Sequence, residues 1–296
     1  VVTGKVDGNI TGGEGNTSAS ANLISVGGNV SGNVIGGKAN LNATNADGTE
    51  IAAIGNIIDI AGSVDGNVTG GEANTNADEN FISVKGNVGG NIIGGKSETG
   101  TAAFNDIIIG GDVNGSIIGG EGNTNANENH ISVEGSVDGN ITGGKSNTSA
   151  SENYISVEGN VGGNITGGEG NTSANENLIS VGGNVAGNVI GGKAEQDAAN
   201  TGEAKITAIG NFIDIGGSVE GNVTGGIGKS DADSNNIHVA GNVGGNVIGG
   251  KSETGTATKN DIIIAGSVSG SVIGGEANTS ANENLISVGG NVSGNV

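Results

Sequence analysis

Between Asn22 and Gly37, Ile24, Val26, Gly28, Val30, Gly32, Val34 and Gly36 take every second position, and Ser25, Gly27, Asn29, Ser31, Asn33 and Ile35 fill the places between. A period of two sends successive side chains to opposite faces of an extended strand, so the first set predicts an inward face of Ile, Val and Gly. No stretch shows the 3.6-residue period of an amphipathic helix. The pattern N-x-I-x-V-x-G-N-V-x-G-N-V-x-G-G recurs with leading residues Asn22, Asn56, Asn80, Asn105, Asn129, Asn153, Asn177, Asn211, Asn235, Asn260 and Asn284. Copies start 24 or 25 residues apart, except for two spacings of 34. The Ile24 and Val30 positions keep their residue in all eleven copies, and the three inward glycines never vary. Invariant inward glycine predicts either two walls too close for a Cβ or a bend in the chain.

A unit this thin cannot bury its own apolar face, so successive units must stack. The prediction is an all-β protein, a right-handed parallel β-solenoid with about 24 residues per coil, roughly 12 coils and no helical domain. At about 4.8 Å per coil the rod measures on the order of 55 Å. A second period lies above the first: "NLISVGGNVSGNVIGGKA" at 22 returns as "NLISVGGNVAGNVIGGKA" at 177, giving a 155-residue super-repeat over 22–176 with an incomplete copy over 177–296. Both ends then fall inside a repeat, so residues 1–296 are expected to be one continuous array cut from a longer repetitive chain. The tails between Gly-Gly and the next Asn are rich in Ser, Thr, Asn and Ala and predict turns along one edge. Two of them are longer, at 38–55 and 193–210, with Ile51, Ile54, Ile206 and Ile209 placed to anchor them. Stacked leading Asn side chains predict an amide ladder, with a glycan or ligand site at each coil as the alternative.

Composition narrows the classes. Sixty-four Gly without Pro or a three-residue period is not collagen, and the absence of Cys excludes disulfides and thiolate metal sites. Four aromatics, Phe81, Phe104, Tyr154 and Phe212, cannot fill a core of this length, so Ile and Val must. Ten Lys+Arg against 31 Asp+Glu give a net charge of −21, which argues against nucleic acid and anionic lipid as partners. No apolar run is long enough for a membrane-spanning helix, so no membrane insertion is expected within this segment.

Columns of stacked residues carry the candidate chemistry. The residue after Gly-Gly reads Glu14, Lys38, Glu72, Lys96, Glu121, Lys145, Glu169, Lys193, Ile227, Lys251, Glu276, an alternation that predicts a salt-bridge ladder and a register device. Just before the leading Asn, Glu128, Glu152 and Glu176 follow one another, with Glu79 and Glu283 at the same position. Like charges in a column either splay into water or share a cation, so these three are the candidate Ca²⁺ ligands; no other cofactor is expected. His130 and His238 occupy outward positions in separate coils, and the repeat is expected to supply neither with the partner a general base needs. Uniform repetition without a single-copy cluster argues against any enzyme, a polysaccharide-active one included, so no catalytic residue is assigned. Frequent sequons such as Asn9-Ile10-Thr11 are what a chain rich in Asn, Ser and Thr produces by chance. The outward stripe Leu23, Ile57, Phe81, Asp106, His130, Tyr154, Leu178, Phe212, Asn236, Asp261, Leu285 is expected either to lie under a folded-back loop or to meet another rod. Ice binding needs a regular array of Thr, and the column Thr11, Ile35, Thr69, Ile93, Ile118, Thr142, Thr166, Ile190, Thr224, Ile248, Ile273 mixes Thr with Ile.

The segment "NFISVKGNVGGNIIGGKSETGTAAFN" at 80–105 resembles the N-x-V-x-I-x-G-G-x-V-x-G-N-V-Y-G-G repeats in the passenger regions of bacterial autotransporter-type surface adhesins, and the likeness runs along the whole chain. It departs by carrying Ile or Thr where that pattern has Tyr before Gly-Gly. The resemblance implies an exported bacterial protein, extracellular or at the cell surface, whose work is mechanical. Two versions follow: the stalk of an adhesin that meets cell-surface or host ligands, or a subunit joining copies of itself end to end or laterally in a fibre or biofilm matrix.

Overall fold

The computed structural model describes residues 1–40, 50–195 and 205–296. The middle parts of the two long tails, 41–49 and 196–204, therefore lie outside the described residues. The rest is a parallel β-solenoid. Each turn supplies one short strand, Leu23–Val26 in the first full turn, and one longer strand, Val34–Ala39. The short strands stack into an eleven-stranded sheet, the Ile-x-Val sheet, and the longer ones into a second eleven-stranded sheet, the Gly-Gly sheet. Every neighbouring pair is parallel and in register from one turn to the next, as in Ile131 beside Ile155 and Lys145 beside Glu169. Eleven rungs stand where dividing the length by 24 suggested roughly 12, since two of the turns are 34 residues long.

The core is four columns wide. The Ile24, Val26, Val30 and Val34 positions are almost wholly buried through the middle of the rod and form one continuous apolar cluster. Each such side chain contributes roughly 1.5–3 kcal/mol by leaving water. Between the strands the Val30 position forms its own column of single bridges, Val113 to Val137 to Val161 for example.

Of the three glycine positions expected to face inward, Gly36 is buried, but the other two are not where alternation put them. Gly28 and Gly32 sit at bends and are partly exposed. A Cβ on Gly159, at the Gly28 position, would lie 2.5 Å from the Gly135 carbonyl oxygen of the previous rung. These residues are glycine because the clash lies along the rod axis, between rungs. Close approach of two walls does occur, but at the second residue of Gly-Gly: a Cβ on Gly144 would fall 1.9 Å from the Ala126 carbonyl oxygen. The pair also breaks the alternation. Burial over Val34–Ala39 runs in, out, in, in, out, in, so Lys38 faces outward and Ala39 inward.

The space opened by the paired glycines holds the leading Asn of the next rung. A Cβ on Gly119 would meet the Asn129 Cβ at 2.7 Å, and one on Gly120 the Asn129 amide nitrogen at 2.7 Å. The Asn side chains, 0–1 % exposed from Asn56 to Asn260, form the expected amide ladder. Asn105 Nδ2 donates to Asn129 Oδ1 at 3.0 Å, Asn129 Nδ2 to Asn153 Oδ1 at 3.1 Å, and each Oδ1 also accepts the backbone N–H of the preceding Asn. Nothing polar is left over: every buried side-chain nitrogen and oxygen among the described residues has a partner.

The tails are more than turns. Ser18, Ala52, Asn76, Thr101, Asn125 and their successors form a further column of parallel bridges. Next to it the alanine three residues before the leading Asn, Ala126 and Ala150 among them, is buried in every turn from Ala19 to Ala257, and Ala281 in the last turn is exposed. Ile51 packs with Ala19, Ala39, Ala53, Ala73 and Ala77, and Ile206 with Ala174 and Ala194, so these two isoleucines do anchor the long tails. Ile54 and Ile209 are only half-buried.

Candidate functional site

Surface chemistry lies in strips that run the length of the rod. The first is the corner before each leading Asn. All eleven residues there have φ between 54° and 70°: Ala21, Gly55, Glu79, Phe104, Glu128, Glu152, Glu176, Gly210, Ser234, Lys259 and Glu283. Glu128, Glu152 and Glu176 hold a left-handed turn, and their side chains are exposed. Among the described residues no group of three or more His, Asp or Glu is arranged to hold a metal ion.

The second strip is the outer face of the Gly-Gly sheet. Its Thr/Ile column is mostly half-buried. Beside it the charge column stands in the expected register, Lys96 next to Glu121, Glu121 next to Lys145, Lys145 next to Glu169. Ion pairs close at Lys38–Glu72 (3.5 Å), Glu169–Lys193 (3.3 Å) and Lys251–Glu276 (3.1 Å), while Lys96 and Lys193 also reach Glu98 and Glu195 on their own turn. Burial works to lower the Lys193 pKa, but the Glu195 and Glu169 carboxylates outweigh it and hold the ammonium above the usual lysine value. At the end of the second long tail, Lys205 Nζ meets Asp231 Oδ2 at 3.0 Å. Partial burial pushes the Asp231 carboxyl up, and the bonds from Lys205 and Thr256 more than reverse this, leaving it below the ordinary aspartate range.

The third strip is the outer face of the Ile-x-Val sheet, and it carries the rings. Phe81, Tyr154 and Phe212 occupy one column, and Phe104 stands at the corner leading into it. All four aromatics of the chain are thus outside the core; Phe104 is 53 % exposed, Tyr154 and Phe212 38 % each. Leu23 and Ile57 in the same column are also exposed.

The two histidines have the partners that reading along a single repeat denied them. His130 Nδ1 lies 2.7 Å from Asp106 Oδ1, and His238 Nδ1 2.7 Å from Asp214 Oδ1. Each Asp is in the preceding rung at the same position of its strand, so the pairing follows from stacking and is invisible within one rung. On its other side the His130 ring meets Tyr154 with centroids 5.0 Å apart. The Asp–His pairs are half-exposed on the outer face of the sheet and are not joined by a nucleophile among the described hydrogen bonds.

Two further columns escaped the sequence reading. At both bends around the Val30 position a short side chain accepts the backbone N–H of the next rung: Asn160 N to Ser136 Oγ at 3.1 Å, Asn184 N to Asn160 Oδ1 at 2.8 Å, Asn164 N to Asn140 Oδ1 at 2.7 Å. The signal was present, since in the eleven copies that begin at Asn22 these positions hold only Asn, Ser or Asp, the residues with an acceptor oxygen close to the backbone.

No protein-family model matches the chain, and no curated protein does. Among solved structures the chain is similar to a hyperactive, Ca²⁺-dependent, β-helical antifreeze protein from an Antarctic bacterium, at 20 % identity over 99 % of this chain and 80 % of that one, with a TM-score of 0.38.

Proposed function

We propose that this chain is a non-enzymatic structural rod, the stalk or passenger segment of a bacterial cell-surface adhesin, working outside the cell. The observation that carries this reading is the uniformity of the stack. Eleven rungs repeat the same core columns, filled by Ile or Val throughout, and the same Asn ladder, while charge and ring chemistry vary from rung to rung on the outward positions. Such a construction transmits force and spans distance, and offers side chains for contact along its length. The likeness of its repeats to those of autotransporter-type adhesins points the same way. An antibody against the folded chain should label the surface of intact source cells; label that appears only after lysis sinks the extracellular reading.

Assembly with other copies in an extracellular fibre or matrix is the second reading, favoured by the exposed apolar and aromatic stripe on the Ile-x-Val sheet. Ice binding ranks below both, because the Thr column of the Gly-Gly sheet is broken by Ile and flanked by a charged column. Thermal hysteresis measured on the purified chain should be nil.

A further inference from the structure

We propose that the outer face of the Ile-x-Val sheet is a self-complementary surface on which a second copy of this chain docks antiparallel, about a two-fold axis between the fourth and fifth rungs. The inference deepens the rod reading and rests on it. Its basis is the order of residues along the stripe. From the first rung to the eighth the first outward column reads Leu23, Ile57, Phe81, Asp106, then His130, Tyr154, Leu178, Phe212. In chemical terms this is a palindrome: three apolar residues and an acid, then a base and three apolar residues.

A two-fold axis in the interface, lying along the strand direction, reverses the order of rungs and keeps each position along its strand. A homodimeric interface of this kind sets the same patch against itself. With the axis between rungs four and five, Asp106 faces the partner's His130, Phe81 the partner's Tyr154, Ile57 the partner's Leu178, and Leu23 the partner's Phe212. The second outward column adds no conflict, since Asp59 then faces the partner's Ser180 and Asp214 the partner's Ser25. Sliding by one rung loses the match: one direction sets Asp106 against the partner's Asp106, the other sets His130 against the partner's His130.

Within one rod Asp106 and His130 are already joined and are 38 % and 40 % exposed. Docking gathers two such pairs into a cluster in which each carboxylate faces an imidazole in its own rod and another across the interface, while the apolar blocks on either side leave water. Aromatic residues are concentrated in protein interfaces, and a chain with four of them that keeps all four off its core fits that use. Eight rungs of four-residue strands cover roughly 38 Å by 13 Å, about 500 Å² per copy and about 1,000 Å² in the pair, which is the lower edge of specific interfaces. Because each rod carries a net charge of −21, added salt should strengthen the association by screening the rest of the surface.

The test uses the 296-residue chain in sedimentation equilibrium from roughly 1 to 300 µM at low and moderate salt. The expected result is a monomer–dimer equilibrium, weakened at least tenfold by His130→Asp and restored by the exchange Asp106→His with His130→Asp. The absence of native cysteine permits a register test. The axis sets Ser83 against the partner's Ser156, and facing sheets stand about 10 Å apart, too far for a disulfide but within reach of a short bis-maleimide. Mixed Ser83→Cys and Ser156→Cys chains should cross-link to each other and neither to itself. A monomer at every concentration overturns the proposal, as does a dimer that cross-links Ser83→Cys to itself or that the double exchange fails to restore. Far-UV circular dichroism on each sample separates the two levels: a β spectrum with no dimer removes this interface and leaves the rod, whereas loss of the β spectrum in the parent chain removes both.

Discussion

The leading Asn shows how much one residue contributes when it is stacked. Asn129 Oδ1 accepts both the side-chain and the backbone N–H of Asn105 at 3.0 and 3.1 Å, in a place that water does not reach. Asn129→Ala strands two buried donors and removes a third bond, to Asn153. The expected loss is about 2–4 kcal/mol, read from denaturant unfolding, because unsatisfied buried groups cost more than a hydrogen bond contributes. The residue just before each Asn behaves oppositely. Glu152 has φ 58° and an exposed side chain, whereas the matching places in the two long turns are Gly55 and Gly210. A left-handed backbone costs an L-residue about 1–2 kcal/mol, part of which glycine gives back through its freer unfolded chain. Glu152→Gly should therefore raise the unfolding free energy by up to about 1 kcal/mol, equally in EDTA and in excess Ca²⁺. A stabilisation by Ca²⁺ that the variant loses would make the Glu column a cation site.

At the scale of the strand, register is the quantity under control. The alternating Glu/Lys column places unlike charges side by side at nearly every step, and a slip of one rung brings like charges together. Lys145→Glu sets three carboxylates at 121, 145 and 169; the loss should be about 1 kcal/mol at low salt and fade in high salt. Converting Glu121 and Glu169 to Lys in that background should recover it, and a triple variant no better than the single one would show that these side chains do not meet across rungs. The bridge at the second long tail gives a pH signature. Asp231 titrates below its usual value when folded, so its contribution is complete above the unfolded pKa of about 3.8 and is lost as pH falls through the lower folded value. Lys205→Gln removes one of the main forces holding it down, and the Asp231 carboxyl should titrate at higher pH in a carbon-detected NMR series.

The whole molecule is a one-dimensional stack in which each turn touches the turns before and after it. Amide exchange should map the columns rather than the composition. Ile131 and Val137 should be slow, and so should Ala126, whose N–H donates to Ser149 O at 2.9 Å although it lies in a tail that reads as loop. Fast exchange at Ala126 with slow exchange at Ile131 would mean that the tail column of bridges is open in solution. Far-UV circular dichroism should show β structure without helix.

The strand period, the 24-residue turn, the amide ladder and the charge register were all legible in the sequence, because each depends on a residue recurring at a fixed spacing. Composition also put the core in Ile and Val, and the repeat register put Phe81, Tyr154 and Phe212 on the outer face, whereas the exposed corner position of Phe104 emerged only from the structure. What the period could not give was direction. Alternation assigns a residue to one of two faces, but Gly28, Gly32 and Gly36 are glycine because of a neighbour along the rod axis, a third direction that a period of two does not contain. Gly-Gly reverses the alternation, so the inward Ala39 position and the buried alanines of the tails emerge only when the turn is closed. The Asp106–His130 and Asp214–His238 contacts went unread for a different reason: stacking at 24 residues sets them side by side just as it does the Glu/Lys column, but each pair occurs in a single step of its column and so leaves no repeating signal.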